Sequence, residues 1–210
     1  MMKKSYDLLK DHPVNKAREA KGLRPANSLW FWGEGVRKSL MPFTEKYGKT
    51  GAMISAVDLL KGIGKFTEMD VINVNGATGY IDTNFSGKAD AAIKALKDGR
   101  DFVYIHVEAP DECGHRFEVQ NKIKAIELID ELILGPVLKA FEGEELKVLI
   151  CPDHPTPLAL KTHTNAPVPY LIWNSTKAEQ GVDCFTEEAA EKTGRYVEVG
   201  HTLMEHFLSE

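Results

Sequence analysis

Five short apolar runs alternate with helical stretches, and that alternation leaves few folds open to this chain. FVYIHV at 102–107 and KVLICP at 147–152 are nearly continuous apolar segments, the pattern of strands covered on both faces. GAMIS at 51–55, DVINV at 70–74 and VPYLIWN at 168–174 read as further strands. Between them, AVDLLKGIGKF and KADAAIKALKDG read as helices. The second is amphipathic, with Ala91, Ala95 and Leu96 on one side, lysines on the other and Gly99 as its stop. The stretch 117–141 reads as one long helical segment, with Ile123, Ile126 and Ile129 near helical spacing. EEAAEKTG and VEVGHTLMEHFL are closing helical pieces. At the front, 5–21 reads as a helix broken near Pro13 and stopped by Gly22. The expected class is α/β, a mostly parallel sheet flanked by helices. In such sheets ligands gather beyond the C-terminal ends of the strands.

Composition narrows the function classes. The chain has 210 residues, 43% of them hydrophobic and 27% charged, with a formal net charge of −5. That suits one folded domain with a full core, and an acidic balance argues against nucleic-acid binding. No apolar run is long enough to span a bilayer and the first residues carry no apolar signal core, so a cytoplasmic protein without membrane contact is expected. Three cysteines, Cys113, Cys151 and Cys184, with no paired spacing, form neither a disulfide framework nor a zinc ribbon. Cys113 and Cys151 read as small buried fillers.

Chemistry concentrates in three loops. Asp111 and His115 in EAPDECGH are four residues apart, so a helix starting after Ala109 would project both from one face. Pro110 suits a helix start and Gly114 permits close backbone approach. Asp153 and His154 are adjacent, just past a strand, in a loop stiffened by Pro152, Pro155 and Pro157. His163 directly precedes VPYLIW. Taken singly, each has a plainer role: a surface pair or capping Asp, a strand-terminating Asp beside an exposed His, a loop His. Taken together they suggest a metal site. Mixed Asp and His donors favour Zn or Mn, whereas all-oxygen sets favour Mg or Ca. Two carboxylates and three imidazoles exceed the needs of one tetrahedral ion, which points to a two-metal site for phosphate chemistry.

HVEAPDECGH, LICPDHPTPLALKTHTNAPVPYLIW, ISAVDLLKGIG and GATGYIDTNFSGKADAA together resemble the archaeal-type cofactor-independent phosphoglycerate mutases of the alkaline phosphatase superfamily, from about residue 12 onward. The resemblance implies an alkaline-phosphatase-like core. It implies that Asp111, His115 and His163 hold one divalent ion, Mn or Zn, and that Asp153 and His154 hold a second. It suggests Lys61 as a phosphate-contacting lysine, and Arg18 and Arg24 as substrate-binding arginines. Each of these three also reads as an ordinary surface residue. The implied reaction interconverts 3-phosphoglycerate and 2-phosphoglycerate through a phosphoserine, without a bisphosphoglycerate cofactor.

The family is about twice as long, and its nucleophilic serine and an early metal-binding aspartate precede the part matched here. Ser28, Ser39 and Ser55 each fall in a stretch matching another part of the pattern, so none is nominated. The expectation is a C-terminal half. Residues 1–25 would be a remnant of the inserted substrate-binding domain, and 26–210 the C-terminal part of the phosphatase-like domain, its sheet incomplete on the N-terminal side. The first ion would keep all its protein ligands; the second would keep two. The chain is then a subunit needing a separate N-terminal half, an inactive metal-binding remnant, or a metal-dependent phosphohydrolase. Self-association is also possible. Trp30 and Trp32 read as core or junction packing, and His106 as a strand-end His or a substrate neighbour. His201 and His206 read as structural or exposed, and His12 carries no role.

Overall fold

The computed structural model describes residues 1–33, 35, 36, 39–177 and 181–209. The chain divides into two compact units, Met1–Ser39 and Leu40–Glu210.

The first unit holds helices α1 (Met2–Leu9) and α2 (Pro13–Glu19). Pro13 separates them as expected, because its ring excludes a continuous helix. His12 caps α2, its Nδ1 accepting the Val14 N–H at 3.3 Å. Gly22, at φ 70°, ends the helical stretch in the left-handed region. Buried Asn15 fastens the following segment: its amide donates to the Leu9 and Ala26 carbonyls and its Oδ1 accepts the Ala26 N–H. Trp30 and Trp32 are 79% and 83% exposed. Of the two packing roles expected, core packing does not hold; aromatic content alone does not say which surface is covered.

The second unit begins with α3 (Phe43–Tyr47), β1 (Gly51–Ile54), α4 (Asp58–Phe66), β2 (Asp70–Ile72), α5 (Phe85–Lys97) and β3 (Phe102–Ile105). The strands form a parallel sheet in the order β2-β1-β3. β1 is central and buried along its length. Side chains alternate across a strand, and β3 shows it. Phe102 and Tyr104 pack with Phe43, Met53 and Met69, whereas Ile105 packs with Phe85, Ala89 and Ala109. Both faces are therefore covered, the layered arrangement the apolar runs implied. Gly64 lets α4 lie on the sheet, since a Cβ there would sit 3.0 Å from Val71 and 3.1 Å from Met53.

After β3 come α6 (Ala109–His115), α7 (Val119–Ile129), a π-helical turn at Asp130–Leu134 and α8 (Gly135–Ala140). The long helical segment is continuous but swollen. Pro136 lacks an N–H for the ladder, and the turn before it widens so that the Gly135 N–H reaches back five residues to the Asp130 carbonyl. Then follow β4 (Lys147–Ile150), β5 (Leu171–Asn174), α9 (Glu187–Lys192), a 3₁₀ turn at Gly200–Thr202 and α10 (Leu203–Ser209). β4 and β5 pair antiparallel and form a sheet of their own among the described residues. No helix among these residues is long and apolar enough to cross a membrane.

α5 carries one surprise. Its lysines were expected on the outer side, yet Lys88 is fully buried and donates from Nζ to the His106 carbonyl at 2.8 Å. Cys113 is buried as expected, but Cys151 is exposed because β4 ends one residue before it.

Candidate metal centre

α6 starts where β3 leaves the sheet. Pro110 fits the first turn, whose N–H groups need no intrahelical partner. Asp111 and His115 share one face, Oδ2 lying 3.3 Å from Nε2. The loop after β4 then folds against this helix. Gly114 makes that possible: a Cβ there would stand 2.6 Å from the Thr156 carbonyl oxygen and 3.0 Å from Lys122 Nζ. The seated loop delivers His163, with Nε2 at 3.3 Å from Asp111 Oδ1 and 3.0 Å from His115 Nε2.

Proton placement shows what this trio can do. His115 Nδ1 lies 3.0 Å from the Lys161 carbonyl. A carbonyl only accepts, so Nδ1 carries the proton and Nε2 presents a lone pair. Lys161 adopts a left-handed backbone at φ 54°, a cost for a non-glycine residue. Asp111, His115 and His163 each bring one possible ligand atom, and these atoms all lie within 4.8 Å of one another. Without a cation, His163 must turn its own Nε2 proton into that gap to avoid opposing lone pairs. To hold one, His163 takes the other tautomer, with its proton on Nδ1, and three acceptors are then presented together. Carboxylate with imidazole suits Zn, Mn or Co, so the donor set fits a divalent transition ion.

The second pair adjoins the first. The His154 ring lies on the His163 ring, with centroids 3.7 Å apart, and His154 Nε2 is 3.4 Å from Asp153 Oδ2. Thr156 stands between the groups: its hydroxyl donates to Asp111 Oδ1 and lies 3.3 Å from His154 Nδ1. Behind them, the His106 ring stacks on Tyr104, whose hydroxyl is 3.4 Å from His106 Nδ1. Burial pushes the His106 imidazole down in pKa, against the pull of Asp153. Burial and the neighbouring Glu112 and Asp111 push the Glu108 carboxyl up. His163 is the open side of the site, its side chain 51% exposed.

The structure thus gathers Asp111, His115, His163, Asp153 and His154, all five residues expected as ligands. Lys61 lies on α4, where its described partner is Asp58 at 3.6 Å. Arg18 and Arg24 belong to the first unit, where Arg18 Nε donates to the Arg24 carbonyl at 2.9 Å. Thr156, Lys88 and the Lys161 carbonyl were not singled out from the sequence. Thr156 lies inside the DHPTP loop already quoted, but nothing in its spacing marks it. A backbone carbonyl leaves no signature at all.

Comparisons with known proteins identify the family. A family model described as Metalloenzyme superfamily matches residues 11–210. The 2,3-bisphosphoglycerate-independent phosphoglycerate mutase of Methanosarcina barkeri is 51% identical over 195 residues, covering 91% of this chain and 49% of that protein. The probable mutase of the same description from Geobacter sulfurreducens is 49% identical over 210 residues, covering 99% and 52%. Among solved structures, the PH0037 protein of Pyrococcus horikoshii superposes with a TM-score of 0.77 at 35% identity, covering 91% of this chain and 50% of that one. The cofactor-independent phosphoglycerate mutase of Thermoplasma acidophilum shares the fold at TM-score 0.63 and 23% identity. The chain spans about half the length of the curated relatives it matches.

Proposed function

The chain belongs to the metalloenzyme superfamily, and from that premise we propose that it supplies the metal-binding half of a phosphoglycerate mutase. Asp111, His115 and His163 hold one divalent ion, Mn or Zn, and Asp153 and His154 contribute to a second. The grouping of three possible ligand atoms within 4.8 Å of one another carries this reading. Bound ions would draw charge off the phosphoryl oxygens during transfer.

The chain's own residues do the rest. Asp111 and His115 are aimed by α6, and the Lys161 carbonyl keeps His115 in the metal-binding tautomer. The exposed face of His163 leaves room for a phosphoglycerate. Lys61, Arg18 and Arg24 are proposed phosphate and carboxylate contacts. The phosphoryl-accepting serine comes from the portion of the relatives that this chain does not span.

A coupled assay for 2-phosphoglycerate formed from 3-phosphoglycerate, with Mn²⁺, tests this. The chain alone should give no turnover, and addition of the N-terminal half of a relative should restore it. Turnover by the chain alone would place the nucleophile within these 210 residues. Release of inorganic phosphate instead of isomerisation would favour a phosphohydrolase.

A further inference from the structure

We propose that Thr156 is a positioning residue that sets the proton on His154 and ties the two ligand groups into one unit. The proposal rests on the metal reading above. Thr156 is 5% exposed and has little freedom. Its carbonyl accepts from Lys122 Nζ at 2.8 Å, and its Cγ2 methyl lies 2.9 Å from where a Cβ on residue 114 would sit. The hydroxyl therefore stays where the loop puts it.

One hydroxyl carries one proton, and a carboxylate can only accept. The Thr156 proton goes to Asp111 Oδ1, so the hydroxyl's lone pairs face His154 Nδ1, 3.3 Å away. His154 then donates from Nδ1, in competition with Asp153 Oδ2, which lies 3.4 Å from Nε2 and draws the proton the other way, so the Thr156 oxygen is what tips the tautomer to Nδ1. Groups behind a ligand commonly select the tautomer in this way, and losing one typically costs 10–100-fold in metal affinity. Here a single hydroxyl serves ligands of both groups, so filling one group is felt at the other.

The test has a metal-free readout and a metal-bound one. In the metal-free chain at mildly alkaline pH, imidazole ¹H–¹⁵N correlation spectra should show His154 protonated on Nδ1. T156V should shift it toward Nε2, and T156S should restore it. In Co²⁺ titrations read by visible absorption, T156V should bind about 10-fold more weakly with a displaced band, while T156S stays within about 3-fold of the parent. If T156V does not fold by circular dichroism, T156A takes its place. H163A is the control. Unchanged Co²⁺ binding in H163A would overturn the metal reading itself. A large loss in H163A, with T156V matching the parent in both tautomer and affinity, would overturn the role of Thr156 alone.

Discussion

Lys88 shows how much one side chain can resist being read from a sequence. In KADAAIKALKDG it is one of three lysines, and helical periodicity puts lysines outside. Its stem is long and apolar, though, and the His106 carbonyl waits at the end of β3, so the residue turns inward and ends fully buried. Burial lowers its pKa from 10.5 to about 8, against the opposing pull of Glu108. The sign of the pH effect follows. Below about pH 8 both folded and unfolded chains carry the charge, and the whole cost of burying it is present. Between about pH 8 and 10.5 only the unfolded chain holds the proton, so stability rises with pH through that window. Urea melts should show Lys88→Met lacking this rise, a difference of about 3 kcal/mol across the window. Equal slopes for parent and variant would mean that Lys88 is solvated.

At the scale of elements, the contact between α6 and the loop after β4 decides whether a site exists. Asp111 and His115 are placed by helical geometry, so their pairing was legible from a spacing of four. His163 arrives only because Gly114 leaves room for the Thr156 carbonyl. Gly114→Ala should therefore act twice. Overpacking should destabilise the fold by about 1–3 kcal/mol, and the displaced loop should weaken Co²⁺ binding. Thermal melts and Co²⁺ titrations check both. Unchanged stability and affinity would mean that the loop does not rest on the helix. Strand and helix positions were largely legible, because apolar runs and glycine stops report local structure directly. The pairing of β4 with β5 was not, because alternation says which face is apolar but not which neighbour, or which direction, a strand takes. The π-helical turn before Pro136 was also out of reach: proline announces a disturbance, not whether the helix breaks or widens.

For the whole molecule, the five expected ligands come together although three separate segments supply them, 109–115, 153–154 and 163. The motifs carried that much, because two of the three follow predicted strands and the layered α/β class collects ligands beyond strand ends. Long-range seating was beyond the motifs, and so were the groups that set protons, Thr156 and the Lys161 carbonyl. Asp111, His115 and His163 form a group that could hold a divalent ion, and the proposed function depends on their doing so. Isothermal titration calorimetry of the chain with Mn²⁺ at neutral pH, beside His163→Ala, tests it most directly. The account predicts saturable binding by the parent. It predicts affinity at least about 10-fold weaker in the variant, with the far-ultraviolet circular dichroism unchanged. Absence of Mn²⁺ binding above background in the parent, or equal affinity in His163→Ala, would contradict it.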